Sequence, residues 1–151
     1  MAPLTVAGFV RIPIAARVDV DRARREVRAV AGARGFDRVD TERLTLAVSE
    51  LATNLLRYAR DGVITITPLD DAAGGGIQVE SCDHGPGIPD VGRALEDGFS
   101  TGRGLGSGLP AVRRLLDDFE ITSGRHGTRV TARLCTPGYH YRRTPRTSWS
   151  G

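Results

Sequence analysis

The order of apolar and polar residues along the chain predicts alternating strands and helices. Apolar residues recur at helical spacing over 19–34, 40–60 and 109–118, and strands are expected over 6–14, 63–67, 77–81, 119–123 and 128–134. Asp40 or Thr41 is expected to cap the second helix, and Pro68 to end the strand that begins at Val63. The stretch 84–107 is rich in glycine and proline and is expected to form a mobile loop. This order of elements indicates an α/β fold.

The second predicted helix carries the first pair of chemically interesting residues. Its apolar stripe is formed by Leu44, Ala47, Val48, Leu51, Leu55 and Tyr58. Glu50 and Asn54 are four residues apart, so they lie on the same helix face, at the border of this stripe. A carboxylate and a carboxamide at that border can face a cleft together. Taken alone, however, the pair is better explained as a solvated helix flank.

A strand end supplies the second feature. Asp83 follows the strand over 77–81, and Gly85 and Gly87 follow Asp83. An aspartate there can accept a hydrogen bond from the exocyclic amine of a base, and the glycines let a flat ring approach the backbone. By itself the segment is better explained as an ordinary turn, because Asp, Gly and Pro are the commonest turn residues.

The third feature is the segment Gly104-Leu-Gly-Ser-Gly-Leu109, which runs into a predicted helix. Glycines just before a helix let consecutive N–H groups point at an anion, and the helix dipole favours negative charge there. A flexible linker is the alternative, but linkers rarely interleave leucine with glycine. This segment is the most specific of the three.

Composition limits the ways in which the chain can bind phosphate. All 21 basic residues are arginine, whereas a Walker A loop and a eukaryotic-type kinase both place a lysine on the phosphates. Both classes are therefore excluded.

The net charge of +3 is too small to indicate nucleic acid, and no apolar run approaches the roughly 18 residues that span a membrane. Two cysteines make neither a disulfide framework nor a metal site, so the cytoplasm is the expected location.

Together the three segments resemble the N, G1 and G2 boxes of the GHKL ATPase superfamily. The matching stretches are Ser49-Glu-Leu-Ala-Thr-Asn54, Asp83-His-Gly-Pro-Gly-Ile-Pro-Asp90 and Gly104-Leu-Gly-Ser-Gly-Leu-Pro-Ala-Val-Arg-Arg-Leu-Leu-Asp-Asp-Phe119. With Glu96-Asp-Gly-Phe-Ser-Thr101, they are similar to the anti-sigma regulatory serine/threonine kinases, in particular the stressosome switch kinases. The resemblance covers roughly residues 10–134. It implies the Bergerat fold, an α+β sandwich with a mixed, mostly antiparallel sheet covered on one face by helices, and a mobile ATP lid over 88–103.

The resemblance also implies a role for each matching position. Asn54 would ligate Mg²⁺, and Glu50 would be the general base that takes the proton of an attacking hydroxyl. Asp83 would bind the adenine amine of ATP, aided by Gly85, Gly87 and Thr128. The phosphates would be held by the segment Gly104, Leu105, Gly106, Ser107, Gly108 and Leu109. Arg103, just ahead of this segment, is expected to supplement it as a cation because of its position, and the resemblance itself does not supply that expectation. Thr53 departs from the pattern, because an arginine is usual there in the switch kinases.

Two functions remain open on this reading. In the first, the chain is a kinase that phosphorylates a serine or threonine of a STAS-domain antagonist in a partner-switching stress-response pathway, and the chain itself would also activate a PP2C-type phosphatase. In the second, it is an anti-sigma factor that sequesters an RNA polymerase sigma subunit. Neither function involves nucleic acid or a membrane as partner. Residues 1–135 are expected to form one domain, and 136–151 a disordered tail.

Overall fold

A six-stranded sheet and three helices make up the part of the chain that the structure describes. The computed structural model describes residues 4–6, 8–71, 74–85, 87–88 and 108–135. The helices are α1 (Arg17–Ala33), α2 (Arg38–Tyr58) and α3 (Leu109–Leu115). The strands are β1 (Leu4–Val6), β2 (Phe9–Ile14), β3 (Gly62–Asp71), β4 (Gly74–Cys82), β5 (Asp118–Gly124) and β6 (Gly127–Cys135).

The strands form one sheet in the order β1-β2-β3-β4-β6-β5. Each pairing in this sheet is antiparallel, which agrees with the expected, mostly antiparallel arrangement. Helices α1 and α2 pack against each other and against β2, β3 and β4, while α3 packs against α2 and β5. The nucleotide-site segments expected from the sequence therefore meet where α2, α3 and the central strands converge.

The core lies between the helices and one face of the sheet. Alternate residues of the strands point towards the helices, so one face is aliphatic and the other is largely polar. The largest completely buried side chains are Ile12, Leu44, Leu51, Ile64, Ile66, Ile77, Ile121, Leu134, Val27, Val48, Val79 and Val112. Burying each such side chain contributes about 1.5–3 kcal/mol. This packing fixes the apolar face of α2, and with it the residues at the border of that face.

Several element boundaries differ from the prediction. Helix α2 begins two residues before Asp40, because the side chain of Asp37, and not Asp40 or Thr41, caps it by accepting a hydrogen bond from the Asp40 N–H at 2.8 Å. The strand expected over 6–14 is two antiparallel strands, β1 and β2, with Gly8 between them at a φ of +94°. Helix α3 ends at Leu115, since the chain turns into β5 at Asp118.

Pro68 does not end β3, contrary to the prediction. The strand continues to Asp71 and pairs with β4 along its full length, with Pro68 opposite Ile77. On the other side, β2 pairs only with residues 62–66 of β3. Pro68 therefore lies beyond the part of β3 that pairs with β2, and a missing N–H costs little at such an edge.

No helix in the described ranges is long and apolar enough to cross a membrane.

Candidate functional site

Helix α2 places Glu50 and Asn54 one turn apart, beside α3. The Glu50 side chain is nearly buried, with 9% of the residue exposed, because α3 packs against α2 at this level. Asn54 is half-buried. For Glu50, the explanation as a solvated helix flank is therefore wrong, and its carboxylate lies in a confined environment.

The surroundings of Glu50 alter its acidity. Burial raises the pKa of the Glu50 carboxyl, while a hydrogen bond from the Gly108 backbone N–H and the charge of Arg57 partly oppose that rise. The net pKa is above the ordinary glutamate value. A carboxylate with a raised pKa is a stronger base than an exposed one, which suits it to accept a proton from a hydroxyl group.

A pocket opens next to this pair, between the end of α2 and the ends of β4 and β6. Its lining residues are Asn54, Leu55, Tyr58, Ala59, Ser81, Asp83, Gly87, Ile88, Leu109, Thr128 and Val130. Five residues predicted from the sequence to bind nucleotide are among them, namely Asn54, Asp83, Gly87, Leu109 and Thr128. Glu50, Gly85 and Gly108 are not in the lining, but they contact residues of its rim or each other.

Asp83 is held in a fixed orientation at the pocket. Its N–H donates to the Thr128 carbonyl at 3.0 Å, which continues the β4–β6 pairing by one bond. Its Oδ1 accepts a hydrogen bond from the buried Gly85 N–H at 2.8 Å. Because an ionised carboxylate has about four acceptor positions, Asp83 can accept a further hydrogen bond from a ligand in the pocket.

Two glycines make the pocket wall possible. Gly87 has a φ of +84°, and a Cβ there would lie 2.3 Å from the Gly124 carbonyl oxygen. Gly127 has a φ of +130°, and a Cβ there would lie 1.9 Å from the Asp83 carbonyl oxygen. Gly127 was not predicted as a site residue, although its place in the Gly124-Arg125-His126-Gly127 turn was a signal that could have drawn attention to it.

Hydroxyl groups connect the two sides of the pocket. The Ser123 Oγ accepts a hydrogen bond from the Ile88 N–H at 2.7 Å and lies 2.8 Å from the Thr128 Oγ1. Ser81, also buried, lines the same wall from β4. Neither serine was predicted, because the position of each beside the pocket follows from strand register, for which the sequence carries no local signal.

The position of Tyr58 corrects the predicted apolar stripe. Tyr58 is 63% exposed and lines the pocket, whereas Leu55, one turn earlier, is buried. Tyr58 is the last residue of α2, and beyond it the chain turns away towards β3. An exposed aromatic ring at a pocket mouth can contact a flat ligand.

Part of the predicted phosphate-binding segment is outside the described residues. Arg103, Gly104, Leu105, Gly106 and Ser107 lie in the undescribed range 89–107, together with most of the predicted lid. The predicted tail over 136–151 is also undescribed. Of the predicted phosphate-binding segment, Gly108 and Leu109 are described. The Gly108 N–H donates a hydrogen bond to the Glu50 carboxylate.

Comparison with known proteins points to one family. The profile described as "Histidine kinase-like ATPase domain" matches residues 13–134. The chain is 46% identical over 115 residues to the serine/threonine-protein kinase RsbT of Bacillus subtilis (strain 168), a match that covers 76% of this chain and 86% of RsbT. The predicted enzyme class, a protein serine/threonine kinase, is confirmed by this comparison.

Solved structures share the fold. The RsbU and RsbW domains of Rv1364c from Mycobacterium tuberculosis match with a TM-score of 0.58 at 20% identity, over 85% of this chain. This chain spans 32% of the length of that chain. The nucleotide-free catalytic domain of histidine kinase ThkA matches with a TM-score of 0.51 at 17% identity, over 85% of this chain and 96% of that chain. At such identities the likeness shows the fold alone, and it confirms the predicted α/β fold.

The family profile covers the described site on α2, β4, β6 and α3. Use of ATP is a property of this ATPase-domain family, so the predicted nucleotide is confirmed at that level. The predicted membership of the GHKL superfamily is confirmed in the same way. The chain belongs to the histidine kinase-like ATPase domain family.

Proposed function

We propose that this chain transfers the γ-phosphate of ATP to a serine or threonine of a STAS-domain antagonist protein. The observation that carries the proposal is Glu50, a nearly buried carboxylate with a raised pKa beside a pocket lined by Asn54 and Asp83. A domain in which ATP binding only stabilises one conformation does not need a proton acceptor. A kinase that phosphorylates a hydroxyl group does.

The pocket is the proposed site for the adenine of ATP. Asp83 is oriented by Gly85 and retains acceptor capacity for an exocyclic amine. The Thr128 hydroxyl is held beside it by Ser123, and the absence of a side chain at Gly87 leaves the wall open to a flat ring. Asp83, Thr128 and Gly87 would therefore recognise the adenine ring.

Mg²⁺ is the proposed metal, and Asn54 its proposed protein ligand. Mg²⁺ prefers oxygen ligands and commonly takes only one or two from the protein, with phosphates and water completing the shell. The carboxamide oxygen of Asn54 is such a ligand, and Asn54 lines the pocket one helical turn after Glu50 on α2. When bound, Mg²⁺ would neutralise phosphate charge and align the phosphates.

Glu50 would act on the acceptor hydroxyl. Its carboxylate takes the proton, the hydroxyl oxygen forms a bond to the γ-phosphorus, and the bond between that phosphorus and the β–γ bridging oxygen breaks to release ADP. The remaining catalysis is charge neutralisation and alignment. Arg103 and the amides of Gly104, Gly106 and Gly108 are the proposed phosphate ligands.

The partners are part of the same proposal. Phosphorylation would add a charge of about −1.5 to −2 to the STAS-domain protein. That charge would weaken its binding to the protein with which it forms a complex. The chain would then also activate a PP2C-type phosphatase. The 46% identity to a serine/threonine-protein kinase supports a protein hydroxyl as acceptor. Cys82 and Cys135 form no disulfide, which fits the proposed cytoplasmic location.

The experiment is transfer of labelled phosphate from Mg-ATP to STAS-domain proteins encoded near this gene. We expect label on a serine or threonine with the wild-type chain and none with Glu50→Ala. A nucleotide-dependent complex with a sigma factor, without any labelled protein, would contradict the kinase proposal and favour sequestration.

A further inference from the structure

Arg43 of α2 binds the C-terminal end of α3 through several contacts. Its Nε donates a hydrogen bond to the Leu115 carbonyl at 2.8 Å. Its Nη1 lies 3.1 Å from the Asp40 Oδ1, and its Nη2 lies 3.9 Å from the Asp117 Oδ1. Leu115 is the last residue of α3, so the guanidinium sits on a carbonyl group that has no partner within the helix.

The other end of α3 is bound by the same helix. The Glu50 carboxylate accepts a hydrogen bond from the backbone N–H of Gly108, the residue that caps the start of α3. Arg43 and Glu50 are seven residues apart on α2, and Gly108 and Leu115 are seven residues apart along α3. Since seven helical residues rise about 10 Å, the two helices lie antiparallel and in register, with one contact at each end.

The charges at these two ends suit the helix dipole. A carboxylate lies at the N-terminal end of α3 and a guanidinium at the C-terminal end, and each arrangement is favourable. Both come from α2, so α2 makes a polar contact with each end of α3, in addition to the apolar packing of Leu109 and Val112 in the core.

Arg43 is itself oriented by the sheet. The Asp117 Oδ2 accepts a hydrogen bond from the Cys135 N–H at 3.0 Å, and the Asp117 N–H donates to the Arg133 carbonyl at 2.9 Å. Asp117 is thereby fixed to β6, the strand that also carries Thr128 at the pocket. Arg43 thus joins α2, the end of α3 and the sheet at one point.

We propose that Arg43 is a positioning residue for phosphoryl transfer, which keeps the Gly108 N–H on the Glu50 carboxylate by holding the far end of α3. The inference rests on the proposed role of Glu50 as general base. Without Arg43, the C-terminal end of α3 loses its polar contacts with α2, and we expect a small shift of α3 that weakens the hydrogen bond between the Gly108 N–H and the Glu50 carboxylate. A small misplacement of a reacting group can lower a rate by up to about 100-fold.

The test compares Arg43→Gln and Arg43→Lys with a matched control, Arg28→Gln. Arg28 of α1 pairs with Glu42 of α2 at 3.7 Å, so its removal also breaks a contact between elements but leaves α3 untouched. Turnover at saturating Mg-ATP and the KM for ATP are measured at equal concentrations of folded protein. Arg43→Gln is expected to lower turnover about 10- to 100-fold with less than about threefold change in KM. Arg43→Lys, which keeps the charge but carries its donors on a single nitrogen, is expected to recover part of the loss.

Hydrogen exchange of the Gly108 amide gives a second readout that needs no activity. Arg43→Gln is expected to speed this exchange at least about tenfold relative to wild type and Arg28→Gln, because the amide loses its acceptor. If the wild type transfers no phosphate, the proposed function fails, and the exchange rates alone decide the positioning role. Unchanged turnover, a rise in KM without loss of turnover, or an unchanged Gly108 exchange rate would each overturn the role of Arg43.

Discussion

At the scale of single residues, the environment of Glu50 sets the pH at which the proposed chemistry can proceed. A general base acts in its deprotonated form, and burial raises the pKa of Glu50 above the usual glutamate value of about 4.3. Transfer should therefore decline, as the pH falls, through a midpoint that lies above that value. The measurement is the transfer rate at saturating Mg-ATP from about pH 4.5 to about 8. A rate that stays flat down to the ordinary glutamate pKa would contradict the assignment.

Asn54 allows a separate test of the metal site. Asn54→Ala removes the proposed oxygen ligand, so ATP affinity should lose its dependence on Mg²⁺. Nucleotide affinity is measured by equilibrium binding with Mg²⁺ and with a chelator. Wild type, titrated in the same way, is the reference for the metal-dependent part. An equal response to Mg²⁺ in both proteins would remove Asn54 from the metal site.

At the scale of elements, a substitution at Gly87 tests whether the turn after β4 has the described conformation. Gly87→Ala places a Cβ 2.3 Å from the Gly124 carbonyl oxygen at a positive φ. We expect the free energy of unfolding to fall by at least about 1 kcal/mol, with weaker ATP binding. The matched control is Gly32→Ala in α1, where a Cβ meets nothing within 4 Å, and a gain of about 0.4–1 kcal/mol is expected. Urea unfolding of both variants provides the comparison, and equal stabilities would contradict the described turn.

Sequence patterns were sufficient to predict most helices and strands, but not all of their ends. Periodicity located α1, α2 and every long strand, because their buried faces follow regular spacings in one compact core. The end of β3 was missed because the effect of Pro68 depends on whether a neighbouring strand lies beside it. The cap of α2 was missed because Asp37 and Asp40 are both good capping residues, and the choice between them is tertiary.

In the candidate site, too, some residues could be predicted from the sequence and others could not. Asp83, Asn54 and Glu50 belong to short local segments, so their type and spacing along the chain are enough to suggest a site. Ser123 and Gly127 could not be recognised in this way, because their roles arise from the pairing of β5 with β6 and from the approach of Asp83. Local motifs thus suggest the candidate reacting groups, while the register of distant strands is needed to find the residues packed around them.

At the scale of the whole molecule, one helix serves the core, the pocket and the contact with α3. The buried face of α2 packs on the sheet, its border carries Glu50 and Asn54, and Arg43 binds the end of α3. The pocket lies where α2 meets β4 and β6, so Glu50 and the proposed nucleotide pocket rest on the same core. If Glu50 is the base, as proposed, the acceptor hydroxyl has to reach it at the junction of α2 and α3.

The central claim is that Glu50 is the base for phosphoryl transfer and not a ligand of ATP. The most direct test measures Mg-ATP affinity and single-turnover phosphate transfer on the same samples of wild type and Glu50→Gln, which keeps a side-chain oxygen for the Gly108 N–H. The account predicts a fall in transfer of about 10²–10⁴-fold with affinity changed less than about threefold. Transfer at the wild-type rate, or a loss of affinity as large as the loss of transfer, would contradict it.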